Sequence, residues 1–197
     1  LLTPKARGIF KKYKVLSKAE LDSRAEIFAE QYITRMRIEA ETMVAMARQM
    51  ILPQVGPSGQ EALAAARVVM VGAGGLAAPV LPLLAGAGVG HITLVDGDDV
   101  ALSNLHRQTL FTEADIGTPK VTAAARALTA RNSACTVVAH PVTLGPETVA
   151  KLCHDATLVL DCADSFAASY VLSDHCLNAD LPLISASALG FGGYVGG

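Results

Sequence analysis

VVMVGAGGLAAP, Val68 to Pro79, runs from an apolar stretch straight into a cluster of glycines. Gly72, Gly74 and Ala77 fit the G-x-G-x-x-G/A spacing of a strand-to-helix turn that receives phosphate. Gly72 permits a tight turn, and Gly74, with Gly75 beside it, lets backbone approach an anion. The helix that follows presents unpaired N–H groups and the positive end of its dipole. Glycines serve many turns that hold no ligand, so the pattern alone leaves a dinucleotide, ATP or plain turn chemistry open.

Around this turn, short apolar runs alternate with helical stretches. Val68–Val71, Ile92–Val95, Thr136–Ala139, Leu158–Leu160 and Leu183–Ser185 read as buried strands. Leu76–Ala87, Lys120–Ala130, Glu147–Cys153 and Ala167–Asn178 read as helices. The repetition predicts an α/β fold, a Rossmann-like and mostly parallel sheet with helices on both faces, over residues 56–197. Pro79 suits the first turn of its helix, whereas Pro82 is expected to kink it. Residues 1–55 read as a long helical segment preceding this domain. Ser17 and Glu20 form an S-x-x-E capping box, and Leu21, Ala25, Phe28, Tyr32, Met36, Ala40, Met43, Ala47 and Met50 then recur at helical spacing. Such a helix reaches about 50 Å. It is too long to be buried along so small a domain, so it is expected to bend or to pack on something outside the monomer.

Composition narrows the function classes. A hydrophobic content of 51% with 17% charged residues describes a globular chain with a generous core. The net charge of −2 gives no electrostatic reason to expect nucleic acid. Apolar stretches are broken well before the length of a membrane span, and the N-terminal LLTPKARGIFKKYK lacks a signal-peptide pattern. The expected location is the cytoplasm. Cys135, Cys153, Cys162 and Cys176 form no C-x-x-C pair, so they are expected to be small buried hydrophobes rather than zinc ligands.

Charged residues downstream separate the nucleotides. Asp96 ends the second strand in ITLVDGDDV, about two dozen residues past Gly72, where an acid hydrogen-bonds a ribose. Asp98 is grouped with it among the nucleotide contacts, while Asp99 reads as a solvated turn residue. To this point NAD and ATP are served equally. SNLHRQ then supplies Arg107, DIGTPK places Lys120 at a helix start, and LVLDCADSF places Asp164 after a later strand. An arginine and a lysine suit β- and γ-phosphates, and a carboxylate suits Mg2+. A dehydrogenase needs no such set.

Six ordered motifs carry a resemblance: ILPQVG with SGQEAL, GAGGLA, AGVGHITLVDGD, SNLHRQTLF, DIGTPK and LVLDCAD. Together they resemble the ThiF/MoeB/HesA adenylyltransferases, which activate ubiquitin-like proteins, including the sulfur carriers of thiamine and molybdopterin synthesis. The resemblance implies that Asp96 binds the ATP ribose, that Asn104, Arg107, Gln108 and Lys120 bind phosphates, and that Asp164 holds Mg2+. It also implies a homodimer in which Arg48, in ARQMILP, reaches the partner's ATP. Arg48, Arg107, Lys120 and Asp164 are therefore the expected catalytic residues, a ubiquitin-like sulfur-carrier protein the expected partner, and no zinc is expected in this chain.

Two departures bear on this. Where the family often has Asn after the aspartate and Arg four further on, Ser165 and Ser169 stand here, and FGGYVGG replaces a Glu-Gly-Gln segment. The family continues beyond the point matching Gly197, so a C-terminally truncated domain is expected. Residues 1 to about 50 resemble the C-terminal helical region of type III glutamine synthetases, without that enzyme's active-site motifs. The two resemblances meet at ARQMILP. The readings weighed against carrier adenylation are an inactive nucleotide-binding scaffold and an NAD(P)-dependent oxidoreductase.

Overall fold

A computed structural model describes residues 17–51, 55–190 and 192–197. The chain divides into two compact units, Leu1–Thr42 and Met43–Gly197. The first unit's described part belongs to helix α1 (Lys18–Ile51). The capping box opens it: Ser17 N–H and Oγ each donate to the Glu20 carboxylate at 2.7 Å, and Glu20 N–H donates back to Ser17 Oγ at 3.2 Å. The Ser17 hydroxyl bond, then its N–H, holds the Glu20 carboxyl below its ordinary value. Ile27 and Ile33 stand exposed along this helix.

The second unit continues with α2 (Gly56–Ala65), β1 (Arg67–Val71), α3 (Ala77–Ala87), β2 (His91–Val95), α4 (Lys120–Arg131), β3 (Thr136–His140), α5 (Pro146–Leu152), β4 (Leu158–Asp161), α6 (Phe166–Ala179), β5 (Leu183–Leu189) and β6 (Gly192–Gly196). The strands form one sheet in the order β3-β2-β1-β4-β5-β6, parallel except for β6. This is the Rossmann-like architecture read from the alternation.

Strand pleating distributes the core to two faces. Met70, Ile92, Leu94 and Leu160 pack with Leu81 of α3 and Val121 and Leu128 of α4. Their neighbours in sequence, Val69, Val71, Val95 and Val159, pack with Val149 and Leu152 of α5 and Leu172 of α6. Leu81, Leu128 and Leu172 have no exposed area. Each contributes about 1.5–3 kcal/mol over leaving its side chain in water.

Pro82 lies inside α3, and the helix runs on past it to Ala87 and ends at Gly88 in the left-handed region, φ 95°. Other elements differ from expectation. Helix α2 was not foreseen, and neither was β6. The latter carries three glycines, which sequence patterning reads as loop. It is a strand because β5 continues to Leu189 and offers it a full antiparallel register, from Ser185 opposite Gly196 to Leu189 opposite Gly192. All four cysteines are free thiols, three of them buried and Cys162 half-buried.

Candidate functional site

The strand order reverses at β1, whose chain leads to β2 on one side while β4 lies on the other. In open α/β sheets the crevice outside the carboxyl ends at such a reversal receives ligands. The glycine turn, Asp96 and the Asp161–Asp164 segment all leave strands at these ends.

Gly72 sits at φ 89°, a region closed to most residues. Its N–H donates to Val95 O at 2.8 Å, and Cys162 N–H donates to Val71 O at 2.8 Å, so both neighbouring strands grip the end of β1. A Cβ here would stand 2.6 Å from the Cys162 carbonyl carbon and 2.9 Å from Ala163 N. Only glycine fits. Gly74 then accepts the Ala78 N–H at 2.9 Å, which starts α3.

Asp96 braces this turn. One carboxylate oxygen accepts the Ala73 N–H at 2.6 Å and the other accepts the Asp98 N–H at 2.8 Å. Asp98 in turn accepts the Lys120 ammonium at 2.6 Å and, through its carbonyl, the Lys120 N–H at 2.9 Å. The lysine side chain is 8% exposed and the Asp98 side chain 67% exposed. The lysine is thus a buried cation whose counter-ion, Asp98, is largely exposed.

The connection between β2 and α4 adds the SNLHRQ residues. Asn104 Oδ1 accepts the Ala101 N–H at 3.0 Å and holds a short 3-10 turn, Leu102–Asn104. Its carbonyl accepts the N–H groups of Arg107 at 3.1 Å and Gln108 at 2.9 Å. This aims both side chains at the glycines. Arg107 packs its Cγ 3.5 Å from where a Gly75 Cβ would be, and Gln108 Nε2 lies 3.7 Å from the same point on Gly74. Arg107 donates to Ser103 O at 3.1 Å. Gln108 is 2% exposed, and its Oε1 is buried with no partner among the described residues.

Gly72, Gly74, Gly75, Asp96, Asp98, Asn104, Arg107, Gln108 and Lys120 are thus linked by contacts at one edge. Asp164 follows β4 and is exposed. Arg48 lies in α1 with its side chain outside the described residues. Sequence reading passed over Asp161. This acid is 2% exposed, and its carboxylate accepts the Ala163 N–H at 3.1 Å and the Ser185 hydroxyl at 3.3 Å. It shapes the segment bearing Asp164. The signal was present: Asp161 ends the apolar run LVL as Asp96 ends ITLV. Burial pushes the Cys162 thiol up to about 12, with the Asp161 charge adding to it, and burial pushes Cys153 up to about 11. Neither is a thiolate nucleophile at neutral pH.

Residues 46–196 match the ThiF family. The chain belongs to that family. Residues 1–68 match the glutamine synthetase C-terminal domain, so the two matches share the segment that includes ARQMILP. Among ThiF-type relatives, the sulfur carrier protein adenylyltransferase of Thermus thermophilus is 44% identical over 160 residues, covering 81% of this chain and 59% of that protein. The adenylyltransferase and sulfurtransferase MOCS3 of Mus musculus is 43% identical over 161 residues, covering 82% of this chain and 35% of that one. This chain therefore spans little more than half, or less, of the relatives it matches.

Solved structures agree with the ThiF fold. E. coli MccB, crystallised with AMPCPP and MccA, superposes with a TM-score of 0.61 at 33% identity over 65% of this chain and 38% of that one. E. coli tRNA N6-threonylcarbamoyladenosine dehydratase, TcdA, crystallised with ATP, gives a TM-score of 0.62 at 28% identity over 66% and 54%. No helix among the described residues is long and apolar enough to cross a membrane.

Proposed function

We propose that residues 56–197 form an ATP-binding domain that adenylates the C-terminal glycine of a ubiquitin-like sulfur-carrier protein, with residues 1–55 a helical segment preceding it. A carrier carboxylate oxygen attacks the α-phosphorus of ATP, the bond to the bridging oxygen breaks, and pyrophosphate leaves. The product is an acyl-adenylate, activated for later sulfur transfer of the kind thiamine and molybdopterin synthesis require. The observation that carries this reading is the run of contacts Ala73–Asp96–Asp98–Lys120, which ties a phosphate-type glycine turn to a lysine held in the same crevice. A nicotinamide site has no use for that lysine.

Little general-base chemistry is needed, because a carboxylate is already ionised. The chain's work is alignment and charge neutralisation. Asp96 would take the ribose, Lys120 and Arg107 the triphosphate oxygens, and Asn104 and Gln108 would orient them. The Gln108 amide nitrogen, beside Gly74, is the donor that would reach a phosphate oxygen, whereas its buried Oε1 is an acceptor and would need a donor instead. Mg2+ arrives with ATP. Among the described residues no group of three or more His, Cys, Asp or Glu could hold a metal alone. A nucleotide-bound Mg2+ needs only one or two carboxylates besides phosphates, and exposed Asp164 fits that role. Arg48 is proposed to act across a homodimer, and the cytoplasm is the proposed location.

Calorimetric titration with Mg·ATP, beside NAD+, tests the reading, followed by carrier-dependent pyrophosphate exchange. ATP binding with exchange supports it, and NAD+ binding overturns it. The Ser165 and Ser169 departures favour one second reading, a scaffold that binds ATP without adenylating a carrier. Binding without exchange identifies that case.

A further inference from the structure

We propose that Asp98 is a positioning residue, which aims the Lys120 ammonium and does not itself bind the nucleotide. The inference rests on the adenylylation reading for its kinetic part only. Asp98 makes three bonds with separate duties. Its N–H donates to Asp96 at 2.8 Å, its carbonyl accepts the Lys120 N–H at 2.9 Å, and its carboxylate accepts the Lys120 ammonium at 2.6 Å. The first bond fixes Asp98 to the acid that braces the glycine turn. The second fixes the first residue of α4. The third fixes the tip of its side chain, so the lysine is held at both ends by one residue.

The chemistry of the pair argues against a nucleotide contact. A carboxylate repels phosphate, and its one counter-ion here is the group a triphosphate would also seek. Lysine is a flexible stem carrying a point charge, and without a second anchor the charge is not directed. Burial leaves the lysine side chain only 8% exposed, and the one acid it meets at its tip, Asp98, is itself 67% exposed. Asp98 therefore gives Lys120 a fixed direction while competing with phosphate for it. Removing Asp98 should harm the step that needs a well-placed cation more than it harms ATP affinity.

The test compares Asp98→Ala and Asp98→Asn in the full chain. Pyrophosphate exchange is measured with Mg·ATP and a ubiquitin-like carrier ending in Gly-Gly. Asp98→Ala is expected to lower kcat about tenfold while KM for ATP rises no more than about twofold, the pattern of an interaction used only in the transition state. Asp98→Asn, which keeps an oxygen for the ammonium, is expected to recover most of that loss. A KM rise of about tenfold with kcat unchanged would mean a direct nucleotide contact and overturn the proposal. A second readout needs no activity. Acetic anhydride labelling of Lys120, followed by peptide mass spectrometry, should quicken several-fold in Asp98→Ala and little in Asp98→Asn. Unchanged labelling in Asp98→Ala overturns the clamp whatever the kinetics show. If the unaltered chain catalyses no exchange, the adenylylation reading fails, and labelling alone decides the clamp.

Discussion

The Asp96 carboxylate accepts the Ala73 N–H at 2.6 Å, reaching from the end of β2 into the glycine turn after β1. The acid expected at a ribose is thus also a brace for the loop that would receive phosphate. Its second oxygen serves Asp98. A residue with these bonds has a measurable weight in the folded state. Asp96→Ala is expected to lower stability by about 1.5–3 kcal/mol, the range for hydrogen bonds to a charged group. The urea midpoint reads this without any nucleotide. A residue serving only the ribose would leave the midpoint where it was.

Gly72 is expected to tolerate no side chain. Its φ of 89° is unfavourable for alanine, and the added Cβ would meet the Cys162 carbonyl carbon at 2.6 Å. Strain and overpacking combine, so Gly72→Ala should cost more than about 1 kcal/mol and lower Tm by several degrees. Differential scanning calorimetry measures the shift. Gly74→Ala is the control, since its Cβ would sit 3.7 Å from Gln108 Nε2, an ordinary contact. Equal Tm losses in the two variants would refute the argument.

Asp164→Ala separates function from folding. The residue is exposed and follows β4. Its loss should leave Tm within the range of surface substitutions, about ±0.5 kcal/mol. Mg·ATP-dependent exchange should fall by about 10²–10³, as when one electrostatic group is removed from a site. Full exchange in this variant would remove Asp164 from the proposed mechanism.

Asp115 predicts a feature of acid stability. It is buried, its carboxylate accepts the Thr112 N–H and hydroxyl at 2.8 Å each, and it pairs with Arg126. The Thr112 N–H is the largest cause holding its carboxyl below the ordinary 3.8. A depressed carboxyl stabilises the fold above its unfolded value, and that contribution fades as pH falls through 3.8 and on to the folded value. Urea midpoints taken between about pH 2 and pH 6 should therefore drop less steeply in Asp115→Asn. Identical slopes would show that other carboxyls govern acid unfolding.

Most of the sheet was legible because its inner strands are largely apolar on both faces, and short runs such as VVMV and ITLV, bounded by turn residues, read as buried strands. Asp96 drew the eye as a charge ending an apolar run, and the structure gives it a structural duty as well, bracing the glycine turn through Ala73. What escaped depends on partners distant in sequence. Strand β6 exists only through β5, and no local pattern in GGYVG announces it. Asp161 escaped for a related reason. Its worth lies in a hydroxyl 24 residues away, on the next strand. The Asp98–Lys120 pair shows a third kind of blindness: both residues were singled out, but only geometry shows that they are bound to each other.

The central strand has a consequence for synthesis. Arg67, at the start of β1, takes its other neighbour from Thr157, 90 residues further along the chain. A nascent chain that has just released β3 can already lay β2 against β1 and pack α3 and α4 over them. The wall of Cys162 and Ala163 that confines Gly72 arrives only after β4 has emerged. Until then the glycine turn is free of the contact that dictates its shape, and the crevice beside it has one bank. The edge that carries the glycine turn is therefore completed late, by the second half of the domain closing onto a half already built.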